Sequence, residues 1–126
     1  MQAGASVIDV SFEPQDGKLV YAVRTYANGK VWDGLFDGNS GAAIGQGTVI
    51  DESALDAEDK AELAALKGAK ITLRQAIASA EKINGSRALN AGLEQVRGRA
   101  VWEILIPGTT KQPQQIHIDP ISGKIQ

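Results

Sequence analysis

His117 is the single histidine of a chain that has no cysteine, so any imidazole base or imidazole metal ligand must come from this one residue. It stands between Ile116 and Ile118, and alternation along a strand sets it on the opposite face from them, with Asp119 two positions on able to share its face. A histidine beside a carboxylate is the pairing of a general base with its orienting group. No motif supplies a nucleophile, however, and Asp119 has a competing duty in a turn, so a solvated or hydrogen-bonded strand histidine is the better reading. The lack of cysteine removes disulfides, thiolate nucleophiles and thiolate metal sites together.

Asp37 and Asp119 sit in matching Asp-x-x-Ser-Gly segments, which invites a paired-carboxylate reading. Local chemistry explains them better: the Asp side chain accepts from amides two residues on, and the glycine takes positive φ. Asp51, Glu52, Asp56, Glu58, Asp59 and Glu62 form an acidic run that could attract a hard cation, but the EF-hand spacing is missing, and acids in a first helical turn are favoured by the helix dipole. Gly41–Gly47 is glycine-rich but lacks the Lys-Ser or Lys-Thr of a phosphate loop. Asn84-Gly85-Ser86 matches a glycosylation sequon, although its glycine is explained by a helix stop. No catalytic, metal or cofactor-binding residue is assigned, and no cofactor is expected.

The aromatic residues carry the remaining signal. Tyr21 and Trp102 read as core, together with Leu73, Ile77 and Ala80. Trp32, with Tyr26 and Phe36, is the candidate partner-binding set.

With 126 residues, a net charge of −2 and a pI near 5.3, the chain is one domain's length and lacks the clustered Lys and Arg that a nucleic-acid backbone requires. Arg97 and Arg99 are the nearest approach to a basic cluster. No apolar run approaches the roughly 20 residues of a transmembrane helix, and no basic start and apolar stretch marks a signal peptide.

These residues need elements to hold them. Alternation and turn chemistry predict strands over 7–12, 18–26 and 30–36, with Asn28-Gly29 as a hairpin turn. Gly41–Gly47 reads as a flexible exit, followed by a short acidic helix to Leu66 with Leu55, Leu63 and Leu66 on its apolar side. Thr72-Leu73-Arg74-Gln75 is a capping box opening a helix whose stripe is Leu73, Ala76, Ile77, Ala80 and Ile83. Strands over 88–96, 99–106 and 114–118 complete the chain.

The two strand sets repeat one another at an offset of 81, slipping to 82 near the end. Ile8, Val10 and Phe12 meet Leu89, Ala91 and Leu93; Val20–Val23 meets Val101–Ile104; Asp37–Gly41 meets Asp119–Gly123; Trp32 meets Gln114. The second unit resembles a PepSY domain from about Ala69 to Ile125, through Leu73, Ala76, Ile77, Ala80, Gly85, Trp102, Ile104, Asp119, Ser122, Gly123 and Lys124. The first resembles that family from Gly4 to about Ile44, through Tyr21, Val23, Asp37, Ser40 and Gly41, but has Ala42 and Ala43 where Lys124 and Ile125 stand and lacks the opening helix, as a shortened or processed chain would.

The expected fold is α+β: two antiparallel three-stranded meanders with helices packed on them, a tandem PepSY-like repeat. Its parts are a strands-only unit over 1–45, a linker with the acidic helix over 46–69, and a helix-plus-strands unit over 70–126. The resemblance implies a periplasmic or extracellular, non-enzymatic binding or regulatory module whose partner is a peptidase or another extracytoplasmic protein. A small-ligand or metal sensor using the crevice between the units, and a hydrolase built on His117, are the alternatives. The apolar face of Ile8, Val10, Phe12, Tyr21, Val23 and Phe36 needs cover, expected from the acidic helix ahead of a homodimer.

Overall fold

The computed structural model describes residues 5–83, 85–108 and 112–126. Asn84, the sequon asparagine, lies outside the described residues, as do Met1, Gln2, Ala3 and Gly4. The strands are β1 (Ser6–Gln15), β2 (Lys18–Ala27), β3 (Lys30–Asp37), β4 (Ala43–Asp51), β5 (Asn90–Val96), β6 (Arg99–Ile106) and β7 (Gln114–Ile118). A 3-10 turn (Glu52–Ala54) leads to helices α1 (Ala57–Gly68) and α2 (Leu73–Glu81).

All seven strands belong to one antiparallel sheet in the order β4-β3-β2-β1-β5-β6-β7. This corrects the expectation of two separate three-stranded meanders with helices packed on them. Each meander leaves its first strand as an open edge with unpaired amides and carbonyls, and pairing β1 with β5 removes both edges at once. Residues 43–51, read from sequence as a flexible exit and linker, add β4 beyond β3. Gly45 and Gly47 take φ of +71° and +74°, and the β3–β4 register shifts between Asp33 and Leu35, so a segment with a poor strand pattern still forms a ladder.

The internal repeat is carried out bond for bond. Asp37 Oδ1 accepts from the amides of Asn39 and Ser40, and the Ala42 amide donates to Ser40 Oγ. Asp119 Oδ1 accepts from Ile121 and Ser122, and Lys124 donates to Ser122 Oγ. Asp16-Gly17 and Arg97-Gly98 both take positive φ, the mark of a two-residue hairpin turn matched to strand twist. Val10 not only matches Ala91 but pairs with it, while Asp9 pairs with Gly92 and Ser11 with Asn90. Such reciprocal pairing defines a pseudo-two-fold axis through Val10 and Ala91, normal to the sheet. An axis in that direction keeps each face on its own side.

The registers assign side chains to faces. Val10, Val23 and Gly34 lie opposite one another, as do Ala91 and Ile104, so Phe12, Tyr21, Trp32 and Phe36 share one face with Leu93, Trp102 and Ile106. Helix α2 packs on this face over β5 and β6. Leu73, Ala76 and Ala80 are buried there with Leu93, Trp102, Ile104, Ile106, Ile116 and Ile118, and Trp102 Nε1 donates to the Ile71 carbonyl at 2.8 Å. The capping box forms as its sequence dictates, Thr72 Oγ1 accepting from the Gln75 amide and Gln75 Oε1 from the Thr72 amide. Of the expected core set, Trp102, Leu73 and Ala80 are buried, whereas Tyr21 and Ile77 keep part of their surface exposed.

Helix α1 lies against the other face. Its Leu63, with Leu55 ahead of it, packs on Val31, beside Tyr26, Ile50 and Leu66. Asp56 caps its first turn by accepting from the Asp59 amide. The acidic helix therefore does not cover Val10, Phe12, Tyr21, Val23 and Phe36. Ile8 is the exception in that set: it is the extra residue of a bulge between Val7 and Asp9, lining a small cavity with Leu55 and Leu63 on the α1 side while belonging to the buried cluster of Leu73 and Leu93. No helix among the described residues is long and apolar enough to cross a membrane.

Candidate functional site

Two surfaces of the first meander bring together side chains that could recognise something, one on each face. On the α2 side, cross-strand pairing lines up aromatic rings from β1, β2 and β3. The rings of Phe12 and Tyr21 are 4.7 Å apart, Tyr21 pairs with Phe36 across β2 and β3, and Phe36 is 5.8 Å from Trp32. All four are only partly buried. Helix α2 stops short of them: a cavity of about 400 Å³ separates Ile77 and Glu81 from Val10 and Tyr21.

Trp32 is held flat on the sheet. A Cβ at Gly34 would stand 2.0 Å from the indole, so only glycine lets the ring cross β3 there. Gly47 makes the same allowance on β4, and Trp32 Nε1 donates to the Gln46 carbonyl at 3.0 Å. The repeat gives this a meaning: Gly34 matches Ile116, and the indole fills the space that the isoleucine side chain fills in the second unit. Of the three sequence candidates, Trp32 and Phe36 come together on this shelf. Tyr26 lies on the opposite face, its hydroxyl donating to Glu52 Oε2 at 3.1 Å and its ring 5.2 Å from Lys67 Nζ.

On the α1 side a groove of about 540 Å³ runs over β1 to β4, with Ile8, Ala22, Leu35 and Ile44 as its apolar lining and Asp9, Arg24, Asp33 and Glu62 as its charges. Arg24 is engaged by Asp33 through two parallel bonds, Nε to Oδ1 at 2.7 Å and Nη2 to Oδ2 at 3.0 Å, with Asp59 Oδ1 3.5 Å from Nη1. The hydrogen bonds that it donates to Asp33 hold the guanidinium charged well above its ordinary range. A second cavity, of about 430 Å³, continues across the junction between the units, sharing Asp9 and Ser11 and adding Gly92, Glu94 and Glu103.

The carboxylates of this groove crowd one another. Burial first, then Glu94, push Asp9 up to about 6. Burial, then Glu94 and the acids of α1, push Glu62 up to about 7, and burial and Glu103 raise Glu94. An acid raised in the folded state stabilises most below its unfolded value, and that stability is lost as pH climbs through the folded value. Folding is therefore expected to weaken between about pH 4 and pH 7. Asp9→Asn should raise stability at about pH 8 by about 1 kcal/mol and flatten the profile. Urea denaturation at both ends of this window checks it; an unaltered profile would assign the titration elsewhere.

The other sequence candidates settle into structural roles. His117 Nε2 meets Glu103 Oε2 across β6 and β7 at 3.0 Å, not Asp119. Asp37 and Asp119 are turn acceptors, and the amides of Ser40 and Ser122 hold each carboxyl below the usual range. Asp51 caps the 3-10 turn, and Glu52 binds Lys67 at 2.6 Å. Among the described residues no three His, Asp or Glu side chains are placed to hold a metal ion. Of the groove residues, Glu62 is named from sequence only within the acidic run, and Asp9, Arg24 and Asp33 are not singled out as a site. The Asn28-Gly29 turn did contain a signal for two of them, since a two-residue hairpin pairing Ala27 with Lys30 must set Arg24 opposite Asp33.

No protein-family model matches this chain, and no curated protein matches it. Among solved structures, the crystal structure of a putative lipoprotein from Clostridium difficile 630 is similar, with 21% sequence identity over 97% of this chain and 80% of that chain. The TM-score of 0.51 makes this a likeness of fold.

Proposed function

We propose that this chain is an extracytoplasmic, non-catalytic binding module that docks a protein partner on the aromatic shelf. The observation that carries the reading is the strip of Phe12, Tyr21, Phe36 and Trp32 on one sheet face, partly exposed and beyond the reach of α2. Aromatic rings supply much contact area for little lost side-chain freedom, which is why they are enriched at recognition surfaces. The fold shared with a putative lipoprotein supports the location. The resemblance of the second unit to PepSY domains, with the turn bonds repeated in both units, supports a partner that is a peptidase or another extracytoplasmic protein.

The test is inhibition of a thermolysin-type metallopeptidase by the purified chain. Saturable inhibition is expected, weakened at least tenfold by the double variant Trp32→Ser, Phe36→Ser, whose circular dichroism should match the parent. Inhibition indifferent to the double variant would remove the shelf from the reading. A hydrolytic activity of the pure chain that vanishes in His117→Ala would overturn its non-catalytic part.

A second reading, a small-ligand module, is favoured by the two adjoining cavities on the α1 side, which share Asp9 and add Glu62 and Glu94, acids that would suit a ligand carrying an amine or guanidinium. Asp9→Asn separates the two, because it alters the groove and leaves the shelf untouched.

A further inference from the structure

From the pseudo-two-fold axis we infer that the shelf is the seat for an amphipathic α-helix of a partner protein, laid over β1 and β2 as α2 is laid over β5 and β6. The inference rests on the reading of this face as the docking surface and adds what docks there. The axis maps each floor position of the second meander onto the first. Leu93, Trp102, Ile104 and Ile118 become Phe12, Tyr21, Val23 and Phe36, and the place of Ile116 is filled by the Trp32 indole over Gly34. Every floor position is apolar in both copies. Under α2 those five residues are at most 5% exposed, while their first-unit counterparts are all partly exposed. The same floor is therefore built twice and, among the described residues, roofed once.

The roof that exists states what the other must look like. Helix α2 sets Ala76 and Ala80 at 0% exposure in one cluster with Trp102 and Ile104, with Leu73 buried at its start. Small residues at its centre let the helix axis approach the sheet, and the aromatic floor of the first unit, being bulkier, asks for small residues again. A matching helix thus carries alanine, glycine or serine three to four residues apart, preceded by one large aliphatic side chain. A second copy of this chain has no such helix to spare among its described residues. Its α2 is committed to its own second meander, and its α1 is committed to Val31 on the other face. A helix of a different protein is therefore favoured over a second copy as the occupant.

The experiment uses the full chain with residues 70–84 duplicated immediately ahead of Gly4, the position that the repeat offset assigns to a first-unit helix. Because Trp102 is 0% exposed, acrylamide quenching of tryptophan reports on Trp32. The tethered helix should reduce quenching severalfold and raise the urea midpoint, and Phe36→Asp in the same chain should cancel both changes. A free peptide of residues 70–84 should perturb backbone NMR signals of Phe12, Tyr21, Trp32 and Phe36 in the unmodified protein. Unchanged quenching and midpoint in the tethered chain would overturn the inference. So would a concentration-dependent dimer of the unmodified chain with a protected shelf, which makes a second copy the occupant. If the tethered helix fails while Trp32→Ser, Phe36→Ser still weakens peptidase inhibition, the shelf remains a docking surface and only its helical occupant is lost.

Discussion

Trp102→Ala is expected to cost about 3–5 kcal/mol, the range for deleting a fully buried aromatic side chain. Trp102 is 0% exposed and touches the whole logic of the second unit: it lies on the floor beneath α2, and its Nε1 donates to Ile71 at the start of that helix. Alanine would leave a cavity between helix and sheet and strip the Ile71 carbonyl of its buried donor, so transfer, cavity and hydrogen-bond losses fall on one site. A domain of this size has about 5–15 kcal/mol to lose, so the variant forfeits a large share of that reserve and should unfold at a clearly lower urea midpoint. Urea denaturation followed by far-UV circular dichroism measures the loss. Trp102→Phe separates its causes, since it keeps most of the ring volume while removing the donor, and should cost about 1–2 kcal/mol. A loss below about 1 kcal/mol for alanine would mean that the site collapses freely, and that α2 is not seated by this ring.

The second unit was legible because its signals are local. Three- and four-residue spacing placed α2, a capping box fixed its start, and alternation from Arg99 to Ile106 put Trp102 and Ile104 on one face. What sequence periodicity could not supply was the relation between distant edges. Only three residue pairs join β1 to β5, and no pattern within either strand announces them. The bulge at Ile8 is a second instance: strict alternation set Ile8 with Val10 and Phe12, and one extra residue breaks that alternation and lets it line the cavity beside Leu55 and Leu63. Strand β4 escaped because its glycines read as flexibility, whereas their positive φ serves a shifted register against β3.

The candidate site divides in the same way. Trp32 and Phe36 are four apart on one strand, so their common face follows from period two, but Tyr26 belongs to a neighbouring strand and its side depends on register. The Asn28-Gly29 hairpin pairs Tyr26 with Val31, one residue out of phase with Trp32, and so sends it under α1. His117 shows the same limit. Its neighbour in sequence, Asp119, is bound to its own turn, and the carboxylate it meets comes from across the sheet.

Leu63→Asp should be as damaging as the loss of Trp102, and it tests the opposite face. Leu63 is 2% exposed between Val31 and Leu55, and it is the buried residue of α1. An aspartate there exchanges apolar burial for a carboxylate that must either remain charged out of water or take up a proton, at a cost of about 3–5 kcal/mol. The surroundings deepen the penalty, because Asp9, Asp59 and Glu62 are close by and already disfavour further negative charge. The cation nearest the site, Arg24, is engaged by Asp33 and Asp59, so it has little to offer a new carboxylate. Leu63→Ala provides the uncharged reference, expected at about 2–4 kcal/mol, and the difference between the two variants should shrink as pH falls and the new carboxylate protonates. Denaturation midpoints at about pH 5 and pH 8 read that difference. Were Leu63→Asp to leave the midpoint within about 1 kcal/mol of the parent, α1 would not be packed on Val31, and this face, rather than the aromatic shelf, would become the surface in search of a partner.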